Sequence, residues 1–197
     1  MRTSLPVKAI ASMGFCLLLV ILLTGVSLIM AMARVGKDLV DPVAIAQAVK
    51  SIGFAGTPAD YKVTRALAAP GVEIVFLERS SDLQNVYLLR SDRAAESDDL
   101  EDGRTLEKLT NWIFAKDGQK LSLSDVREKG KIEIKPGGAK LLYQMGSLTD
   151  PKSTVYSGMV GFVRTAKKLL IVQAVKPGAN TFDKASVLEL LQQMDGF

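Results

Sequence analysis

The sequence predicts an α+β fold in which a largely antiparallel sheet carries helices packed on both faces, preceded by one transmembrane helix. Successive strand-like runs are joined by short turns, the mark of antiparallel meanders. Two of those runs, 72–77 and 169–175, are apolar without clean alternation, which calls for cover on both faces of a sheet. Residues 9–33 carry no charge at all.

That uncharged segment runs from Ala9 to Ala33 between Lys8 and Arg34. Its 25 residues would make a helix about 37 Å long, against a hydrocarbon core of about 30 Å. A cleaved signal peptide competes, since Ala31-Met32-Ala33 is a small-residue cleavage pattern, and cleavage after Ala33 would leave a secreted soluble form. Signal-peptide apolar cores run about 7–15 residues, so the anchor is favoured. The expected division is a short tail over 1–8, the anchor over 9–33, a juxtamembrane linker over 34–40 and an α+β domain over 41–197. Arg2 and Lys8 precede the span while Arg34, Lys37 and Lys50 follow it, so loop charge sets little orientation. The short tail and long following domain favour a single-pass protein with its domain outside the cytoplasm. Ser12, Cys16, Val20, Thr24, Ser27 and Ala31 recur on one face, where small side chains let two helices approach closely in lipid.

The elements of the domain follow from local signals. Asp41-Pro42 is a helix start, and Ile45, Ala48, Val49 and Ile52 keep helical spacing until Gly53. Strands are expected over 61–68 and 72–78 around Pro70-Gly71, then over 86–90. A second helix is expected over about 104–115, with Leu106, Leu109 and Ile113 on one side and Trp112 beside them. Further strands are expected at 131–135, 141–148, 155–164 and 169–175, punctuated by Pro136-Gly137-Gly138 and Asp150-Pro151. The last helix follows Asp183, with Val187, Leu190, Leu191 and Met194 in register. Each helix has one apolar stripe and so must lie on something.

The Pro58-Ala59-Asp60-Tyr61 entry, the central meanders, and LLIVQAV followed by FDKASVLELLQQM together resemble the PsbP-like fold. That resemblance implies an α/β/α sandwich over most of 41–197. It carries over no functional residue, because the fold serves unrelated roles, mostly as assembly or binding modules.

Composition then limits the chemistry. With no His and one Cys, the Ser-His-Asp and Cys-His arrangements are absent. The formal charge of +4 falls to +2 once Arg2 and Lys8 are set aside, leaving 23 Lys and Arg against 21 Asp and Glu. No concentrated basic face is evident, so nucleic acid is not an expected partner. The acidic run Asp92, Glu96, Asp98, Asp99, Glu101 and Asp102 fails as a calcium loop, since Leu100 and Leu109 fall where oxygen ligands are required. Lys167-Lys168 reads as a hairpin turn, with an anionic lipid headgroup as the rival. Gly158 and Gly161 mark a bulge or a close backbone approach. Tyr143, Tyr156 and Phe162 read as core before binding surface.

No catalytic, metal or cofactor residue is therefore nominated. The expected function is a membrane-anchored, non-catalytic binding or assembly module at the membrane surface, with the bilayer and another membrane or extracytoplasmic protein as partners. The alternative is a ligand-binding or enzymatic domain using carboxylate, Lys and Tyr groups.

Overall fold

The computed structural model describes residues 42–69, 71–92, 106–107, 109–110, 113–114, 119–165, 168–179 and 182–195. Their elements are α1 (Pro42–Ile52), β1 (Tyr61–Ala69), β2 (Val72–Arg79), β3 (Asn85–Ser91), β4 (Ile113–Phe114), β5 (Lys120–Glu133), β6 (Lys140–Thr149), β7 (Val155–Arg164), β8 (Leu169–Pro177) and α2 (Lys184–Gln192). The strands form one sheet in the order β1-β2-β3-β8-β7-β6-β5-β4, antiparallel at every junction. The chain lays down β1 to β3, crosses to the far edge at β4, and returns strand by strand until β8 closes against β3.

The expected helices on both faces are corrected. α1 and α2 lie on the same face. Ala48, Val49 and Ile52 of α1 share one apolar cluster with Val187, Leu190 and Leu191 of α2, over Val75, Leu88, Val172 and Leu141 of the sheet. The helix ends clasp each other. Phe54 and Met194 form an isolated bridge, and the Asp195 amide donates to the Gly53 carbonyl at 2.6 Å. Gly53 sits at φ +121°, and a Cβ there would lie 2.8 Å from the Asp195 carbonyl oxygen. Glycine thus ends α1 and leaves room for the tail of α2.

The opposite face has no comparable helix among the described residues. Leu106, Leu109 and Ile113 cover Leu121, Leu148, Val160, Phe162 and Leu169 there. The helix expected over 104–115 is likewise corrected. Residues 106, 107, 109 and 110 are helical, but Ile113 and Phe114 pair with Leu121 and Lys120 as a strand. Their extended pairing at the sheet edge outweighs the helical spacing that Ile113 shares with Leu106 and Leu109.

β5 starts at Lys120, eleven positions before the strand expected at Lys131. Its register against β6 shifts between Leu123 and Asp125 and again between Val126 and Glu128. Each shift inserts a bulge, so alternation is lost in the sequence although the strand is continuous.

Among the described residues no helix is long and apolar enough to cross a membrane. The transmembrane, single-pass localisation is corrected accordingly and not retained. The segment 9–33 that suggested it lies outside the described residues.

Candidate functional site

The start of α2 is where the domain gathers its ionisable side chains. Asp183 caps the helix, its Oδ1 accepting the Ser186 amide at 3.2 Å. Its other oxygen accepts from Arg79 Nη1 at 2.6 Å, at the end of β2. Gln84, fully buried in the turn between β2 and β3, closes this side. Its Nε2 donates to the Asp183 carbonyl at 3.1 Å and to Ser186 Oγ at 2.9 Å, while its Oε1 accepts the Asp183 amide at 3.0 Å. Three good hydrogen bonds satisfy a side chain that burial would otherwise penalise. Tyr61 Oη reaches Ser186 at 3.4 Å, and Lys176 Nζ holds Asp82 at 2.7 Å beside Arg79.

One residue further on, Lys184 turns to the other half of the sheet. Its Nζ donates to Glu128 Oε1 of β5 at 2.6 Å and to Tyr143 Oη of β6 at 3.3 Å. Tyr143 Oη also donates to Glu128 Oε1. The ammonium stands 5.2 Å from the Tyr143 ring centroid, close enough for a cation–π attraction. Tyr143 pairs in register with Gly130 on one side and Gly161 on the other. A Cβ on Gly130 would come within 2.8 Å of Tyr143 Oη, so the missing side chain lets the phenol lie along β5 towards Glu128. Gly161 does the equivalent on the β7 side, where a Cβ would meet the Leu142 carbonyl oxygen.

The electrostatics follow from these contacts. Hydrogen bonds from Lys184 and then Tyr143 hold the Glu128 carboxyl below the usual carboxylate range. The Glu128 hydrogen bond raises the Lys184 ammonium, and the same carboxylate together with burial pushes the Tyr143 phenol up. The Arg79 guanidinium lowers Asp183. A general acid or base near neutrality needs its pKa near the working pH, with a carboxyl raised or an amine lowered. Here every shift runs the other way. The cluster is an ion pair with a phenol donor, stable in one protonation state across the neutral range.

A second cluster lies between α1 and β2–β3. Ser51 Oγ donates to Glu73 Oε1 at 2.9 Å, Arg90 Nε is 3.8 Å from Glu73 Oε2, and Arg90 also grips Asp92 at 2.9 Å. Asp92 is thus a partner of Arg90 rather than a metal ligand. Among the described residues no group of three or more His, Cys, Asp or Glu side chains could hold a metal ion.

The remaining sequence candidates separate clearly. Ser12, Cys16, Val20, Thr24, Ser27 and Ala31 lie outside the described residues, as do Glu96 to Asp102 and Lys167. Lys168 lies in a tight turn, its carbonyl accepting the Thr165 amide at 2.9 Å. Gly158 and Gly161 are close approaches, where a Cβ would meet the Ala174 and Leu142 carbonyl oxygens. Phe162 and Tyr143 are buried, and Tyr156 packs on the face away from the helices. Sequence reasoning missed Glu128, Lys184, Arg79, Gln84 and Asp183 as a group. The one local signal was Asp183 before an apolar periodic run, which announces a cap and not its partners.

No protein-family model matches this sequence, and no characterised protein matches it either.

Proposed function

We propose that the domain is a non-catalytic binding or assembly module. The observation that carries this reading is the use made of its ionisable groups at the start of α2. Lys184, Glu128 and Tyr143 bond one another across elements, Arg79 and Asp183 do the same beside them, and all are shifted away from the values that proton transfer near neutrality requires. They hold a helix to a sheet. A rigid sheet with its helices gathered on one face leaves long strand surface available, above all along β5, where most side chains are exposed. The pattern shared with PsbP-like proteins, mostly assembly or binding modules, points the same way, although this chain does not adopt the helices on both faces which that resemblance implied.

An enzymatic or ligand-binding role through carboxylate, Lys and Tyr groups is the rival, and Glu128, Tyr143 and Lys184 supply those three types. Two measurements on the full chain separate the readings. Amine acylation at neutral pH should modify Lys184 more slowly than the exposed Lys129 and Lys131; a hyper-reactive Lys184 would favour the enzyme. Cross-linking in native extract followed by peptide mapping should return a repeated partner contact. A chain recovered alone in every preparation would sink the binding role.

A further inference from the structure

We propose that the outer edge of β5 from Glu128 to Glu133 docks an extended, acidic segment of a partner protein, which joins the sheet as one more strand. This rests on the binding-module reading and gives it an address.

β4 pairs only with Lys120 and Leu121, and among the described residues no strand lies outside β5 beyond them. Ser122, the stretch 124–127, Lys129, Lys131 and Glu133 are exposed. The first half of this edge is unsuited to pairing, because its two bulges break the row of main-chain groups. From Glu128 to Glu133 the register against Met145 to Lys140 runs unbroken, and the outer row of amides and carbonyls is regular. Such an edge supplies main-chain hydrogen bonds to an incoming strand, while the side chains select which strand.

The selection here is electrostatic. Asp125, Glu128 and Glu133 are matched by Arg127, Lys184 and Lys140. Lys129 and Lys131 have no ion-pair partner among the described residues. They stand opposite Gln144 and Leu142, which places both on the face away from the helices. Two residues apart, they share one face of the strand and present paired positive charge at its edge. An added strand with Asp or Glu at alternate positions would set carboxylates beside both. Its intervening side chains would lie next to Gly130 and Ile132, where small or apolar groups fit.

A second copy of this chain fits poorly. Antiparallel neighbours share a face, so a copy paired about Gly130 sets Lys129 against Lys131, and one paired about Lys131 sets that lysine against itself. Like charges directly opposite are unfavourable. The same lysines that discourage self-pairing therefore favour an acidic partner.

The test titrates the full chain with a short synthetic peptide of alternating glutamate and threonine, and with its glutamine counterpart, read by anisotropy and amide exchange. The glutamate peptide should bind at least tenfold more tightly and protect amides within 128–133. The K129E/K131E double variant, with both changes on exposed side chains, should melt as the parent does and lose at least tenfold in affinity. Equal binding by that variant, protection elsewhere, dimerisation through β5, or preference of these lysines for single-stranded RNA would each overturn the proposal. A mapped partner contact away from β5 that ignores the charge reversal removes the edge site and leaves the binding module standing. Failure to find any partner removes both.

Discussion

Gly146 of β6 lies directly beneath the main chain of Asp125 in β5, where a Cβ would collide with the Asp125 carbonyl oxygen. The first bulge of β5 folds onto that vacant position, next to the register shift between Leu123 and Asp125. The bulge is a property of two strands together, since the glycine that permits it lies on the neighbour.

Gly146→Ala therefore forces backbone to move. Overpacking of this kind destabilises by about 1–3 kcal/mol, and denaturant unfolding should show it. Gly130→Ala is a useful contrast, because its Cβ meets the far end of the Tyr143 side chain. That variant should unfold nearer the parent while its Tyr143 loses contact with Glu128. A Gly146→Ala protein as stable as the parent would contradict the close approach.

Gln84→Ala should be among the most disruptive single changes at the start of α2. It leaves the Asp183 amide without its acceptor and removes one donor from the Asp183 carbonyl and from Ser186 Oγ, which keep each other at 3.0 Å. Unsatisfied buried groups cost about 1–3 kcal/mol each when water cannot replace the bond. The expected loss is about 1–3 kcal/mol in equilibrium unfolding, and Gln84→Glu should not recover it fully, since a carboxylate cannot donate to Asp183 and Ser186.

The Lys184–Glu128 pair is partly exposed, with side chains at 30% and 40% of full exposure, so solvent screens it. A double-mutant cycle with Lys184→Met and Glu128→Gln should return a coupling of about 0.5–1 kcal/mol. A coupling of several kcal/mol would mean that the pair is buried in solution.

The pH dependence follows from the same contacts. Glu128 and Asp183 have folded-state pKa values below their unfolded ones. Each contributes stability that is present above the unfolded value, about 4 for a carboxyl, and is lost as pH falls through the folded value. Thermal stability should hold from neutrality to about pH 5 and decline below about pH 4. Lys184 is raised, so its contribution is present below its unfolded value and lost only as alkali passes the folded one. Lys184→Met should flatten the acid limb, because Glu128 then has no ammonium to lose.

Leu83 adopts φ 60° at the exposed tip between β2 and β3, a conformation that disfavours a branched side chain. Leu83→Asn should be neutral or raise stability by up to about 1 kcal/mol. A clear loss in thermal melting would show that the leucine makes a contact worth more than the strain.

Much of the element order could be read locally. Pro42 with Ile45, Ala48, Val49 and Ile52 announces α1, Asp183 with Val187, Leu190, Leu191 and Met194 announces α2, and the runs at 72–77 and 169–175 announce buried strands. These signals are short-range, because 3.6-residue and two-residue periods are written within a few turns of chain. The segment 120–130 escaped for the converse reason. Its bulges break the two-residue period, and their counterpart Gly146 is twenty residues away.

The sequence by itself determined the strand and helix stripes and the absence of His-based chemistry. Only the tertiary structure decided which face each stripe met. An apolar stripe states that a helix must be covered, and nothing in it distinguishes one side of a sheet from the other. That choice rests on contacts such as Phe54 with Met194 and Gly53 with Asp195, which join opposite ends of the domain. The cluster of Glu128, Tyr143 and Lys184 is decided in the same way. Two strands and a helix must close before those residues meet, so their pairing and the shifts it imposes belong to the fold.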